Sequence, residues 1–200
     1  MKLFWSSRSP FVRKVMIAAH ELGVADDINT MRVAVDAANP STDVMRFNPL
    51  GRIPTLILED GTVLQDSAVI VEYLDTTFGG SLIPPPGPAR WQALSLQSLA
   101  DGMMEADLRW MEERKRPEAE RREGHANGMR AKIIAALDQL EAMPPTDLHV
   151  GTIALASALA HLDFRFPDQP WRGGRPRLAA WFEAFSERPS MQATTFVDQY

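Results

Sequence analysis

The chain has no cysteine among its 200 residues. That absence excludes disulfides, cysteine-ligated zinc and any mechanism in which a protein thiol forms a mixed disulfide. Tyrosine is almost as scarce: Tyr73 and Tyr200 are the only two, and neither is near the first predicted strand in sequence. Basic residues are not in excess, since 21 Lys and Arg against 26 Asp and Glu leave a formal charge of −5. A polyanion requires a basic face, so nucleic acid is not expected as a partner. No window approaches the ~18 uninterrupted apolar residues of a membrane span. The opening Met1-Lys2-Leu3-Phe4-Trp5-Ser6 lacks the apolar run and small-residue cleavage site of a secretory leader, so a cytoplasmic location is expected. What is present is ordinary for a globular protein, 45% hydrophobic and 24% charged, and long enough for one or two domains with a substantial core.

Patterning divides the chain near residue 80. Before it, short apolar runs alternate with helical ones. Leu3-Phe4-Trp5 reads as a strand, and residues 10–22 read as a helix with Ser9 as N-cap and Pro10 at the first helical position. Val12, Val15, Met16, Ala19 and Leu22 recur at helical spacing until Gly23 ends the run. Residues 31–35 are a second strand candidate. Runs at 55–58 and 62–64 flank Glu59-Asp60-Gly61, a hairpin signal. Residues 67–78 form a further helix pattern. This order predicts a mixed four-stranded sheet covered by helices, an α/β domain over residues 1–78. Residues 79–88, rich in Gly and Pro, read as a linker. Beyond it, helical patterns at 90–116, 118–143, 152–162 and 177–185 predict an all-α domain over 89–200, with Pro117 and Pro144-Pro145 as breaks. The charge run at 112–123 alternates in sign, which marks a solvated helix face rather than a nucleic-acid patch.

The chemistry is concentrated before residue 70. Asn48-Pro49-Leu50-Gly51-Arg52-Ile53-Pro54-Thr55-Leu56 is a turn-rich loop running into a strand. Pro54 has no N–H for a sheet ladder and is a candidate for the cis isomer. Ile53 before it is held extended, which makes its backbone a rail for another peptide. Gln65-Asp66-Ser67-Ala68 then places an acid and a hydroxyl at a helix start, where N–H groups gather around negative charge. Together these features predict a site for a small peptide carrying a carboxylate and an ammonium.

Ser9-Pro10-Phe11-Val12-Arg13-Lys14-Val15, the 48–56 loop and Gln65-Asp66-Ser67, in this order before a Pro-rich linker and a helical domain, resemble the glutathione S-transferases. The resemblance covers nearly the whole chain, including residues 154–167, which look like the late core helix of bacterial members. It implies a thioredoxin-like first domain, a helical-bundle second domain, a homodimer, and glutathione as co-substrate without a metal. It also implies roles. Ser9 would hold the glutathione thiol as thiolate, with Ser6 and Ser7 as rival donors and helix capping as the alternative role for Ser9. Phe11 belongs to the same motif. Ile53 would pair with the cysteinyl backbone beside cis Pro54, Asp66 and Ser67 would hold the γ-glutamyl end, and Arg52 the glycyl carboxylate. Met103, Met104, Asp107 and Trp110 would line an electrophile pocket, although a Met and Trp stripe at helical spacing equally describes core.

The absence of cysteine at position 9 and of a tyrosine near the first strand implies a serine-type member, conjugating glutathione to a hydrophobic electrophile in detoxification. Peroxidase, dehalogenase and isomerase chemistry stay open, as does a non-catalytic member that binds or regulates. At the start of the late core helix, His149 and Thr152 occupy the positions of a Ser/Thr-x-x-Asp capping box, so that reciprocal cap is expected to be weakened or replaced. His161 and Asp163, two residues apart on a helix, point in different directions and are not expected to share a metal.

Overall fold

In the computed structural model, which describes residues 1–36 and 39–198, strand β1 (Lys2–Trp5) runs through a four-stranded sheet. β2 (Asn29–Arg32) lies parallel to it on one side and β3 (Thr55–Ile57) antiparallel on the other. β4 (Val63–Gln65) is antiparallel to β3, which gives the order β2-β1-β3-β4. Leu3 faces Leu56 across the β1–β3 pair, and both are fully buried. β2 begins two residues earlier than its apolar run predicts. Its extent is set by the register with β1, from Lys2 opposite Asn29 to Trp5 opposite Arg32, and its mostly exposed residues carry no alternation to read.

α1 (Pro10–Glu21) starts as predicted, with Ser9 extended and its Oγ accepting from the Val12 N–H at 3.3 Å. Its buried face is wider than the predicted stripe: Ile17 and Ala18 are fully buried while Met16 is only half-buried. The reason is that α1 is covered twice, by α3 (Ser67–Thr77) and by α8 (Pro189–Ala193). The short helix α2 (Thr42–Met45), capped by Ser41, is too brief to leave a periodic signal.

The chain divides into two units, Met1–Arg90 joined by the segment from Arg188, and Trp91–Glu187. The described residues from Arg188 onward group with the first unit and not with the helices that precede them. The returning segment is fastened to α1 and to the loop before it. Arg188 donates two bonds of 2.7 Å to Glu21, whose carboxyl is held below its usual range chiefly by that pairing. Ser190 Oγ donates to the same carboxylate at 2.5 Å, and Arg13 Nη2 donates to the Met191 carbonyl at 3.1 Å. Val197 N–H donates to the Ser7 carbonyl at 3.2 Å, and Arg8 pairs with Asp198 at 3.2 Å. Tyr200 lies outside the described residues. Residues 79–88 are tied down as well: Asp75 accepts from the N–H groups of Leu82 (2.8 Å) and Ile83 (3.0 Å), and Leu82 is buried.

The second unit is built from α4 (Pro88–Lys115, its first three residues in the first unit), α5 (Glu123–Ala142), α6 (Val150–Arg165) and α7 (Pro176–Ser186). α6 is buried almost throughout, in keeping with its Ala-rich sequence. The 112–123 charge run is not one continuous helix face. α4 ends before Pro117, and Glu113 is buried there, accepting from Arg116 and Arg122. Arg122's hydrogen bond is the main reason the Glu113 carboxyl is held at about 2. No helix among the described residues is long and apolar enough to cross a membrane.

Of the two outcomes expected for the cap of α6, weakened or replaced, the structure has the second: the cap is complete but uses different atoms. His149 Nδ1 accepts from the N–H groups of Gly151 (3.1 Å) and Thr152 (3.3 Å), and His149 N–H donates to Thr152 Oγ1 at 2.9 Å. Accepting through Nδ1 requires a neutral ring with its proton on Nε2. Burial lowers the His149 pKa, with Asp147 opposing. A lowered folded-state value means that this cap contributes fully above the ordinary histidine pKa of about 6.5 and is lost as pH falls through the folded value. Urea melts should therefore show wild type losing about 1 kcal/mol relative to His149→Ser between about pH 7.5 and pH 5. Parallel stabilities across that range would refute the assignment.

Candidate functional site

The 48–56 loop is fixed by one buried amide. Asn48, 3% exposed, donates through Nδ2 to the Arg52 carbonyl (3.1 Å) and Thr55 Oγ1 (3.0 Å), and its Oδ1 accepts from the Leu50 N–H (3.1 Å). Thr55 Oγ1 donates to the same Arg52 carbonyl at 2.8 Å. Gly51 at φ 61° makes the turn, and the Ile53–Pro54 bond is cis. Among the described residues, the N–H and C=O of Ile53 make no hydrogen bond. The loop therefore presents an unsatisfied peptide unit just before β3. Asn48 and Thr55 as its organisers were not read from the sequence; an Asn opening a turn is the signal that would have pointed to them.

Asp66 stands at the adjoining start of α3 with φ 76° and ψ 135°, the only non-glycine residue with positive φ among the described residues. Such a conformation costs of order 1–3 kcal/mol and is typical of ligand-holding positions. Its Oδ1 caps the Ala68 N–H at 2.7 Å, while its Oδ2 makes no hydrogen bond among the described residues. Asp66 is exposed and Ser67 is 2% exposed, so an acid and a hydroxyl meet at a helix N-terminus beside the loop.

The three serines of the β1–α1 loop differ in what their hydroxyls do. Ser7 Oγ donates to the Val197 carbonyl at 2.9 Å, which commits its proton. Ser6 Oγ accepts from the Arg8 N–H at 3.3 Å, and Ser9 Oγ accepts from the Val12 N–H at 3.3 Å. A cap uses a hydroxyl lone pair and leaves the O–H proton available. Capping and donation at Ser9 are therefore compatible. Phe11 lies half-buried in the first turn of α1, and the Arg52 side chain is exposed.

The four residues expected to line an electrophile pocket are buried. Asp107 Oδ2 lies 2.8 Å from His161 Nδ1, with side-chain exposures of 1% and 0%. Burial pushes the Asp107 carboxyl up, with His161 and Arg165 opposing. Trp110 stacks on Phe166 with centroids 3.9 Å apart and lines a cavity of ≈ 210 Å³ with Ile133, Leu137 and Trp171. Asp107 and Trp110 thus have partners within the bundle, from the α4 face turned to α6. Met103 is 3% and Met104 0% exposed. His161 is taken by Asp107, while Asp163 accepts from Trp171 Nε1 (2.9 Å) and pairs with Arg172. No group of three or more acidic or imidazole side chains among the described residues is placed to hold a metal.

Comparison with known proteins identifies the family. The family model for the glutathione S-transferase N-terminal domain matches residues 8–77. The uncharacterized GST-like protein YibF of Escherichia coli (strain K12) is 34% identical over 202 residues, covering 97% of this chain and 98% of its own. A glutathione transferase family member from Pseudomonas fluorescens Pf-5, solved with bound glutathione, is 42% identical, covers 97% of this chain and 98% of its own, and superposes with a TM-score of 0.94. A glutathione S-transferase from Methylobacillus flagellatus KT with glutathione bound is 33% identical, covers 98% and 99%, and has a TM-score of 0.86. The chain belongs to the glutathione S-transferase family, with a thioredoxin-like first unit and a helical second one.

Proposed function

We propose that the chain is a serine-type glutathione transferase whose first unit holds the tripeptide. The observation that carries this reading is the unpaired Ile53 peptide beside the strained, exposed Asp66. Ile53 pairs with the cysteinyl backbone, Ser67 and the α3 N-terminus take the γ-glutamyl carboxylate, and Asp66 Oδ2 takes its ammonium. Arg52 supplies a mobile cation for the glycyl carboxylate. Glutathione bound in the Pseudomonas and Methylobacillus relatives supports the assignment. The Ser9 O–H donates a hydrogen bond to the thiolate sulfur while its oxygen still caps α1. The thiol proton leaves to solvent, the thiolate forms a bond to carbon, and the leaving group departs with its electron pair. Of the four α4 residues named for the electrophile, Asp107 and Trp110 have partners in the bundle, and the apolar Met103 beside them is the one we retain for that contact. Cytoplasmic detoxification is the setting in which we place this activity.

Calorimetry tests the peptide site. Asp66→Asn keeps an oxygen for the Ala68 N–H and tolerates positive φ, but removes the charge. Glutathione affinity should fall about ten-fold or more, and unchanged affinity in a folded variant would sink the assignment. Turnover of an aryl halide separates the enzyme from the non-catalytic alternative, which would bind glutathione without reacting it.

The same reading includes a two-fold homodimer, the commonest symmetric oligomer. Val69 (48% exposed), Phe78 (42%) and Trp91 (68%) are exposed apolar residues within the segments we assign to the interface, 67–78 and 90–99. Light scattering at micromolar concentration should give twice the 22.3 kDa chain mass. A monomer mass would rule the dimer out.

A further inference from the structure

The returning segment from Arg188 reaches the turn that carries Ser9. Residues 6–9 join β1 to α1, and the turn is closed by the Ser9 N–H donating to the Ser6 carbonyl at 3.3 Å. Ser6 Oγ accepts from the Arg8 N–H, also at 3.3 Å. The two residues at the tip, Ser7 and Arg8, are held from outside. Val197 N–H donates to the Ser7 carbonyl at 3.2 Å, Ser7 Oγ donates to the Val197 carbonyl at 2.9 Å, and Arg8 Nε lies 3.2 Å from Asp198 Oδ1. We propose that Val197 and Asp198 are positioning residues for the Ser9 hydroxyl, holding the turn where that hydroxyl both caps α1 and meets the glutathione sulfur. The inference rests on the role given to Ser9 above.

Three observations carry it. The turn's own bonds are long for N–H···O contacts, and Ser6-Ser7-Arg8-Ser9 contains neither Gly nor Pro to set its backbone. Pro10 restricts only Ser9, the residue before it. Second, the segment is anchored along the same helix that Ser9 caps. Arg188 and Ser190 bind Glu21 at the last residue of α1, and Arg13 Nη2 donates to the Met191 carbonyl. Arg13 Nε reaches Thr194 Oγ1 at 3.4 Å, and its guanidinium lies 4.6 Å from the centre of the Phe196 ring. The segment therefore spans α1 from Glu21 to the turn and makes helix and turn one piece. Third, Ser9 has little room for error. Its Oγ sits 3.3 Å from the Val12 N–H, so a displacement of about 1 Å loses either the cap or the sulfur.

The test combines Val197→Pro with Asp198→Asn in the full chain. Proline has no N–H for the Ser7 carbonyl, and asparagine brings no charge to Arg8. Both residues are exposed and neither belongs to the glutathione site, so the variant should fold, with a melting curve as the check. Ser7→Ala alone leaves both contacts in place. Thiolate absorbance against pH should put the bound-thiol midpoint of the combined variant about 0.5–1 unit higher, part of the effect of the whole Ser9 hydrogen bond. Turnover of an aryl halide at neutral pH should fall about three- to ten-fold, with KM for glutathione little changed. In a Ser9→Ala background the same substitutions should move the midpoint no further, because the group they position is gone. A merely structural role would lower the melting temperature and leave the midpoint alone. If Ser9→Ala moves the midpoint and the folded combined variant does not, the inference is overturned and Ser9 keeps its role. An equal shift in the Ser9→Ala background would overturn it too, by showing that the segment acts without Ser9. If Ser9→Ala itself leaves the midpoint in place, the role of Ser9 falls and this inference falls with it.

Discussion

Ser9→Ala should lower turnover of an aryl halide at neutral pH by about ten- to a hundred-fold while changing glutathione affinity little. The variant removes one hydrogen bond to a charged sulfur, worth roughly 1.5–3 kcal/mol. On the scale of 1.36 kcal/mol per unit, the bound thiol should titrate about one to two units higher. An ordinary thiol near 8.5 is mostly protonated at neutral pH, so that shift removes most of the reactive anion. Affinity is spared because the peptide is held by its backbone and termini. The lost cap on Val12 N–H costs about 1 kcal/mol of stability, to be measured separately. Two further variants separate the roles. Ser9→Asp retains an oxygen for the cap but has no proton to give, so it should stay folded and slow. Ser7→Ala should leave the titration in place, because that hydroxyl already donates to Val197. The readout is thiolate ultraviolet absorbance against pH, and an unmoved midpoint in folded Ser9→Ala would transfer the role to Ser6 or a backbone N–H.

Gly151→Ala should be the most damaging single methyl in the helical unit. A Cβ there would stand 2.5 Å from the Ala93 carbonyl oxygen, 2.8 Å from Leu96 Cβ and 3.1 Å from the Gln97 nitrogen. Two of those three atoms are backbone, so relief requires α6 to move away from α4 along a helix that is buried almost throughout. Overpacking of this kind costs about 3 kcal/mol, or roughly 6–12 °C in Tm for a chain of this length. Gly128 on α5 is the control. Nothing lies within 4 Å of its Cβ position, so Gly128→Ala should stabilise by about 0.5–1 kcal/mol. Equal melting temperatures for the two variants would contradict the close α4–α6 approach.

Features that depend on near neighbours in sequence were legible from the residues alone. Ser9 with Pro10 announces a helix start, and Pro49, Gly51 and Pro54 announce the loop, because caps and turns are local chemistry. The start of α3 at Ser67 was legible for the same reason. Features decided by distant partners were not. β2 takes its bounds from β1, and the return of the chain to its first unit depends on Arg188 meeting Glu21, 167 residues away. Asp107 was a site candidate through the family resemblance alone; the α6 partner His161 explains its burial. At α6 the replacement of the usual cap was legible, but not the atom that makes it. Imidazole is rare as an N-cap acceptor, so His149 was not credited with holding Gly151 and Thr152.

The fastening of the C-terminal segment to α1 bears on the order of events during synthesis. Domains form as units while the chain is still growing, usually the N-terminal one first. Here the first unit lacks one cover of α1 until Arg188 and the residues after it exist, and Trp91–Glu187 must be made in between. At ~5–20 residues per second that delay is roughly 5–20 s. The helical unit, continuous in sequence, can close during the wait. The first unit, although encoded first, is then the one completed last, and α1 spends the interval with the surface around Glu21 and Arg13 bare to any chaperone within reach.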